Sequence, residues 1–185
     1  MDFKTSNMMR HYIVLIFVVL FLCSFKNDKM AYILFNSEGK EIQYSKLLEK
    51  VKDADVILFG ELHDNPIVHW LEQELTKDLY ADKKENLILG AEMFESDNQI
   101  IIDEYLSDLI SEKTLNDEAR VWTNYPSDYK PLLDFAKKNK LKFVASNIPR
   151  RYASMVYSKG FEILDSIHPE AKKWIAPLPF NMIAP

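Results

Sequence analysis

The chain has 185 residues, 48% hydrophobic and 28% charged, which suffices for one globular domain with a core and excludes a disordered chain. A net charge of −5, a pI near 5.4 and no basic stripe with interleaved aromatics exclude a general nucleic-acid partner. The single cysteine, Cys23, excludes an internal disulfide, so stability has to come from packing.

In chain order, Lys4 and Arg10 precede an uncharged apolar stretch from Tyr12 to Leu22, the form of a secretory signal peptide over residues 1–22. That stretch is shorter than the roughly 20 apolar residues of a spanning helix, so a signal peptide is the preferred reading over a permanent anchor. Cys23 follows immediately, at the head of a short linker over residues 23–30, and is a candidate lipidation site that would tether the folded part to a membrane. Leu22 stands where bacterial lipoprotein signals usually place a small residue, so plain secretion and an uncleaved leader stay open beside lipidation.

Residues 31–185 then read as an α/β domain. Ala31 to Phe35 and Glu41 to Tyr44 flank a polar loop containing Gly39, which predicts an amino-terminal β-hairpin. A helix with Leu47, Leu48 and Val51 on its apolar face follows from Ser45. Three strand-then-helix units come next: Val56–Phe59 before a helix from Pro66, Leu87–Leu89 before a helix near Asp97, and Leu141–Ala145 before a helix near Pro149. Their alternation predicts a parallel sheet covered by helices on both faces. Thr114 to Pro131, with Trp122, Tyr125 and Tyr129, reads either as a lid or cavity wall or as a helical connection with aromatic core residues. Nothing after Pro177 signals a closing helix or strand, and the expectation is an incomplete copy of a larger domain.

In such a sheet the carboxyl ends of parallel strands share one edge, where ligands and chemistry collect. Each predicted unit places polar residues there: Glu61 and His63, then Glu92 and Glu95, then Asn147, Arg150 and Arg151. Gly60 and Gly90 precede two of these groups, which suggests backbone freedom or close approach. Asn65 is placed to cap the helix from Pro66, whose buried stripe reads as Ile67, Trp70, Leu71 and Leu75, with His69 either exposed or aimed at the crevice. Glu92, between Ala91 and Met93-Phe94, would need a cation, a donor or a proton, supplied by Arg150 or Arg151 or by a metal shared with His63. The arginines at a helix start suit a carboxylate ligand, haem propionates included.

The blocks GELHDNPIVHWLE, LGAEMFESDNQ and YPSDYKPLLDFAKKNKLKFVASNIPRRY, in that order, closely resemble the ChaN-like haem-binding lipoprotein family, which is similar to the Tiki and TraB metalloprotease-like proteins and to erythromycin esterases. The resemblance implies a haem-binding lipoprotein of the bacterial cell envelope, membrane-anchored or secreted, with a role in haem or iron uptake. Haem or a related porphyrin and a membrane reached through the lipid anchor are then the partners, and a homodimer is among the assemblies considered. Cofactor-binding candidates on this reading are Glu61, His63, His69, Tyr125, Tyr129, Arg150, Arg151 and Tyr152, the tyrosines entering because the family's haem iron is held through tyrosine. Gly60-Glu61-Leu62-His63 also looks like the Tiki G-x-x-H signature, which implies the alternative of a divalent-metal hydrolase with His63 and Glu92 as ligands or base. A nonfunctional truncated relative is the third reading.

Overall fold

The computed structural model describes residues 30–179. The predicted leader, Cys23 and the closing residues from Phe180 lie outside them. Two compact units divide the chain at Tyr44. In the first, β1 (Leu34–Phe35) pairs antiparallel with β2 (Glu41–Ile42). Gly39 turns the hairpin at φ 74°, and the Asn36 carboxamide oxygen accepts from the Glu38 and Lys40 amides. A side chain that closes its own turn in this way leaves few loop donors to solvent.

α1 (Tyr44–Val51) leads into the second unit, an α/β domain with a small parallel sheet. α2 (Pro66–Lys83) opens as its sequence dictates: Asn65 accepts from the Ile67 and Val68 amides at 3.0 and 3.3 Å, and Pro66 fills the first helical position. Its buried face is His69, Leu71, Leu75, Thr76 and Leu79. The stripe is therefore turned away from the one expected, and Ile67 and Trp70 are exposed.

β3 (Ile88–Glu95) and β4 (Lys142–Asn147) pair in parallel, Leu89 opposite Phe143 and Ala91 opposite Ala145, with an irregularity before Glu95 meets Asn147. Around them stand α3 (Gln99–Leu106), α4 (Glu112–Glu118), α5 (Lys130–Asn139) and α6 (Arg150–Lys159). The main core is built from Met93, Phe94, Ile102, Leu115, Tyr125, Leu133 and Phe143, among others, and a smaller cluster joins Tyr152 to Leu164, Ile167 and Ala171. No helix among the described residues is long and apolar enough to cross a membrane.

The first predicted strand is the main departure. Val56–Phe59 runs beside the domain without ladder hydrogen bonds, and Val56 and Leu58 are 74% and 91% exposed. This segment and β3 instead line an open cavity of about 780 Å³ that also takes in Leu75, Leu79 and Leu132. An apolar run becomes a strand only when a neighbour accepts its backbone groups, and propensity alone does not supply that. Neither glycine does what was expected of it: both have ordinary φ, a Cβ at Gly60 would meet open space, and one at Gly90 would make ordinary contact with Val144.

Truncating the fully buried Leu133 to alanine should cost about 2–5 kcal/mol in urea unfolding, whereas Leu58→Ala should stay within about 0.5 kcal/mol. A Leu58→Ala loss comparable to that of Leu133→Ala would mean that the Val56–Phe59 segment is a packed strand after all.

Candidate functional site

The turn before α2 and the connection between α4 and α5 build one polar cluster. Glu61 is its centre, with a side chain only 15% exposed. Its Oε1 accepts from the Tyr129 hydroxyl at 2.7 Å and lies 3.0 Å from His63 Nδ1, while its Oε2 lies 3.1 Å from His69 Nδ1. Tyr129 reaches it because Tyr125–Tyr129 forms a wide π-helical turn in front of α5, of the kind that often marks functional positions. Burial first, and the adjacent Glu61 next, push the Tyr129 phenol well above its ordinary pKa, so it remains a donor.

The two histidines differ sharply. The His63 side chain is 54% exposed, and its ring meets the Trp122 ring edge-on at 4.8 Å. Its carbonyl accepts from Asn124 Nδ2 at 2.6 Å and lies 3.2 Å from His69 Nε2. The His69 side chain is 4% exposed and packs edge-on against Tyr129 at 4.8 Å. Glu72, one helical turn beyond His69, brings Oε2 to 3.9 Å from the same Nδ1. Burial, then the negative charge of Glu61, raises the Glu72 carboxyl to about 7. Glu61, His69 and Glu72 each offer one ligand atom within 4.8 Å of the others, and they form a group able to hold a metal ion.

The other predicted site residues lie elsewhere. β3 continues through Glu95, so Glu92 is inside the strand rather than at its end, exposed on the face that lines the cavity, and it forms no ion pair among the described residues. Among the described residues Glu92 has no ion pair with His63 or an arginine, and the group able to hold a metal is Glu61, His69 and Glu72. Asp97 instead pairs with both Arg120 and Arg151, and Glu95 also receives Arg120. Arg151 further lies over the Tyr152 and Trp174 rings. Arg150 is exposed on the first turn of α6. Tyr125 and Tyr152 are buried in the two core clusters, and Tyr129 is buried with its hydroxyl on Glu61. The single crevice expected from three strand ends is thus two separate clusters, and the Thr114–Pro131 stretch is a helical connection that also walls the first of them.

Glu72, Asn124 and Asp128 belong to this neighbourhood but were not singled out from the sequence. Asn124 donates to Asp128 as well as to His63, and Asp128 Oδ2 stands 4.0 Å from His69 Nε2. The spacing of His69 and Glu72, three apart on a helix, is the signal that would have found one of them.

A small parallel sheet with helices around it, carrying a histidine, carboxylate and tyrosine cluster at the turn before a helix, defines an α/β domain with a candidate ligand site. The family model described as haem-binding uptake, Tiki superfamily, ChaN matches residues 47–184, and the chain belongs to that family. A solved structure described as cofacial haem binding to ChaN of Campylobacter jejuni is similar at TM-score 0.56 and 21% identity, over 77% of this chain and 66% of that one. At that identity the likeness carries the fold, and this chain spans just under two thirds of the other's length. No curated protein matches.

With metal chelated away, the Glu72 carboxyl stays protonated to about pH 7 when folded but ionises near 4.5 when unfolded. Its contribution to stability is therefore full below pH 4.5 and is lost as pH rises through 7. The loss is at most about 3 kcal/mol, reduced by the partial exposure of the side chain. Glu72→Gln should flatten this part of a stability profile measured by urea unfolding in EDTA; an unchanged profile would contradict the raised value.

Proposed function

We propose that this chain binds haem at the turn carrying His63, as a cell-envelope lipoprotein anchored through Cys23 and serving haem or iron uptake. Family membership supports the ligand class, and the geometry of His63 supports the place. That geometry is the observation carrying the proposal: an exposed imidazole with Nδ1 on a carboxylate and no protein partner at Nε2 among the described residues. A carboxylate behind the other ring nitrogen orients a coordinating histidine and raises its basicity.

The surroundings fit a flat apolar macrocycle. Trp122 walls one side of the ring, and Leu62 and Ile67, on either side of the turn, are exposed apolar side chains. The Tyr125 hydroxyl is buried and the Tyr129 hydroxyl is held on Glu61, which favours His63 over either tyrosine as the iron ligand. Bound there, haem would supply an iron held axially through imidazole nitrogen, while Glu61 and Tyr129 fix the ring that holds it. An open haem face also suits a pair of copies, which the cofacial arrangement in the Campylobacter protein favours.

Titrating the full-length chain with haem should produce a saturable Soret shift, and His63→Ala should weaken it by roughly tenfold or more or change its spin-state bands. Tyr157→Phe, on a fully exposed ring of α6, is the control. Unaltered affinity and spectrum in His63→Ala would remove this axial assignment, and no Soret change in the wild type would remove the haem reading.

A further inference from the structure

Beyond the haem reading, we propose that Glu61, His69 and Glu72 form a divalent-cation site, with His69 Nδ1 and one oxygen of each carboxylate as ligands. His69 carries the argument. Its Nε2 lies 3.2 Å from the His63 carbonyl, an acceptor only, so Nε2 bears the proton and donates it there. In the neutral ring Nδ1 is then a bare lone pair. This atom is buried and has no hydrogen-bond partner, although carboxylate oxygens of Glu61 and Glu72 stand 3.1 and 3.9 Å away.

Three lone-pair donors gathered within 4.8 Å of one another repel unless a proton or a cation lies between them. A proton on Nδ1 would need a carboxylate aligned with the ring N–H, and the 3.1 Å approach of Glu61 lacks that alignment. A metal needs no such line. With bonds of about 2.1 Å, tetrahedral ligands stand roughly 3.4 Å apart, between the two separations from His69 Nδ1, while all three ligand atoms lie within 4.8 Å of one another. One imidazole and two carboxylates suit zinc or a neighbouring first-row divalent ion, with the fourth position left to water.

The outer contacts match those of a metal-bound histidine. A backbone carbonyl holds the distal ring nitrogen of His69, and the Tyr129 hydroxyl and His63 Nδ1 hold the second oxygen of Glu61. Among the described residues no lysine or arginine pairs with Glu61 or Glu72, so the protein's own cations leave the site open. His69 and Glu72 share the face of α2 one turn apart, and Glu61 enters from the turn that Asn65 caps.

The test uses the untagged 185-residue chain, stripped with EDTA and titrated with Co(II) alone, then with Zn(II) in competition. The expected result is one Co(II) per chain with visible d–d bands, displaced by Zn(II), with no haem added. Glu72→Gln should keep a cooperative melt and weaken Co(II) binding by roughly tenfold or more. His69→Gln should remove the bands, and His168→Gln should leave them unchanged. Absent bands in the wild type, or equal affinity in Glu72→Gln, would overturn the proposal. Because no haem is present, failure here leaves the His63 reading intact, and failure of haem binding leaves this one intact.

Discussion

The Glu61 carboxylate is the contact on which the site depends. It is largely removed from water with no lysine or arginine beside it among the described residues, so its charge has to be met by fixed donors. Tyr129 and His63 supply them. Hydrogen bonds to an ionised group are worth about 1.5–3 kcal/mol each, against the desolvation penalty of leaving such a group unmet. Since Glu61 and Tyr129 are 68 residues apart, the same contact closes the α4–α5 connection onto the turn before α2. Asn124, donating to the His63 carbonyl, fastens that closure a second time.

Cations are distributed unevenly between the two polar clusters. Asp97 gathers Arg120 and Arg151, and Arg151 is also held over Tyr152 and Trp174, which makes that cluster a neutralised strut between β3, α6 and the last helical turn. Around Glu61 the partners are two imidazoles and the Tyr129 phenol, with no lysine or arginine among the described residues. A cluster with its charges already matched has little reason to recruit a ligand. One with excess carboxylate, a bare imidazole nitrogen and an exposed ring has two.

The sequence reveals those parts of this architecture that are made locally. Asn65-Pro66 opens α2 as its chemistry requires, alternation of apolar runs and helices indicates a parallel sheet, and the Glu61, His63 and His69 spacing already marks one turn. What it hides is decided by distant partners. Val56–Phe59 has strand composition but no ladder, and β3 runs on past Leu89, which turns Glu92 from a strand-end ligand into an exposed interior position. The tyrosines read as iron ligands by their position in a motif, yet their burial and the Glu61 contact of Tyr129 are set by how α5 packs. Nothing local in YPSDY states that its last hydroxyl meets a carboxylate in GELH.

One carboxylate also stands against two histidines, one in the turn and one on α2, through its two oxygens. His63 places its Nδ1 against Glu61 and leaves Nε2 outward, while His69 places Nε2 on the His63 carbonyl and leaves Nδ1 inward. The outward nitrogen suits an exposed ligand and the inward one a buried cation, and both are joined through Glu61. A cation drawing on Glu61 Oε2 would make Oε1 a poorer acceptor for His63 Nδ1, and so would weaken the hold that orients His63 as a ligand. Since free-energy coupling is reciprocal, a ligand on His63 would then weaken the cation by the same factor. With both sites filled as proposed, the shared carboxylate would make them antagonists, which separate carboxylates would not do.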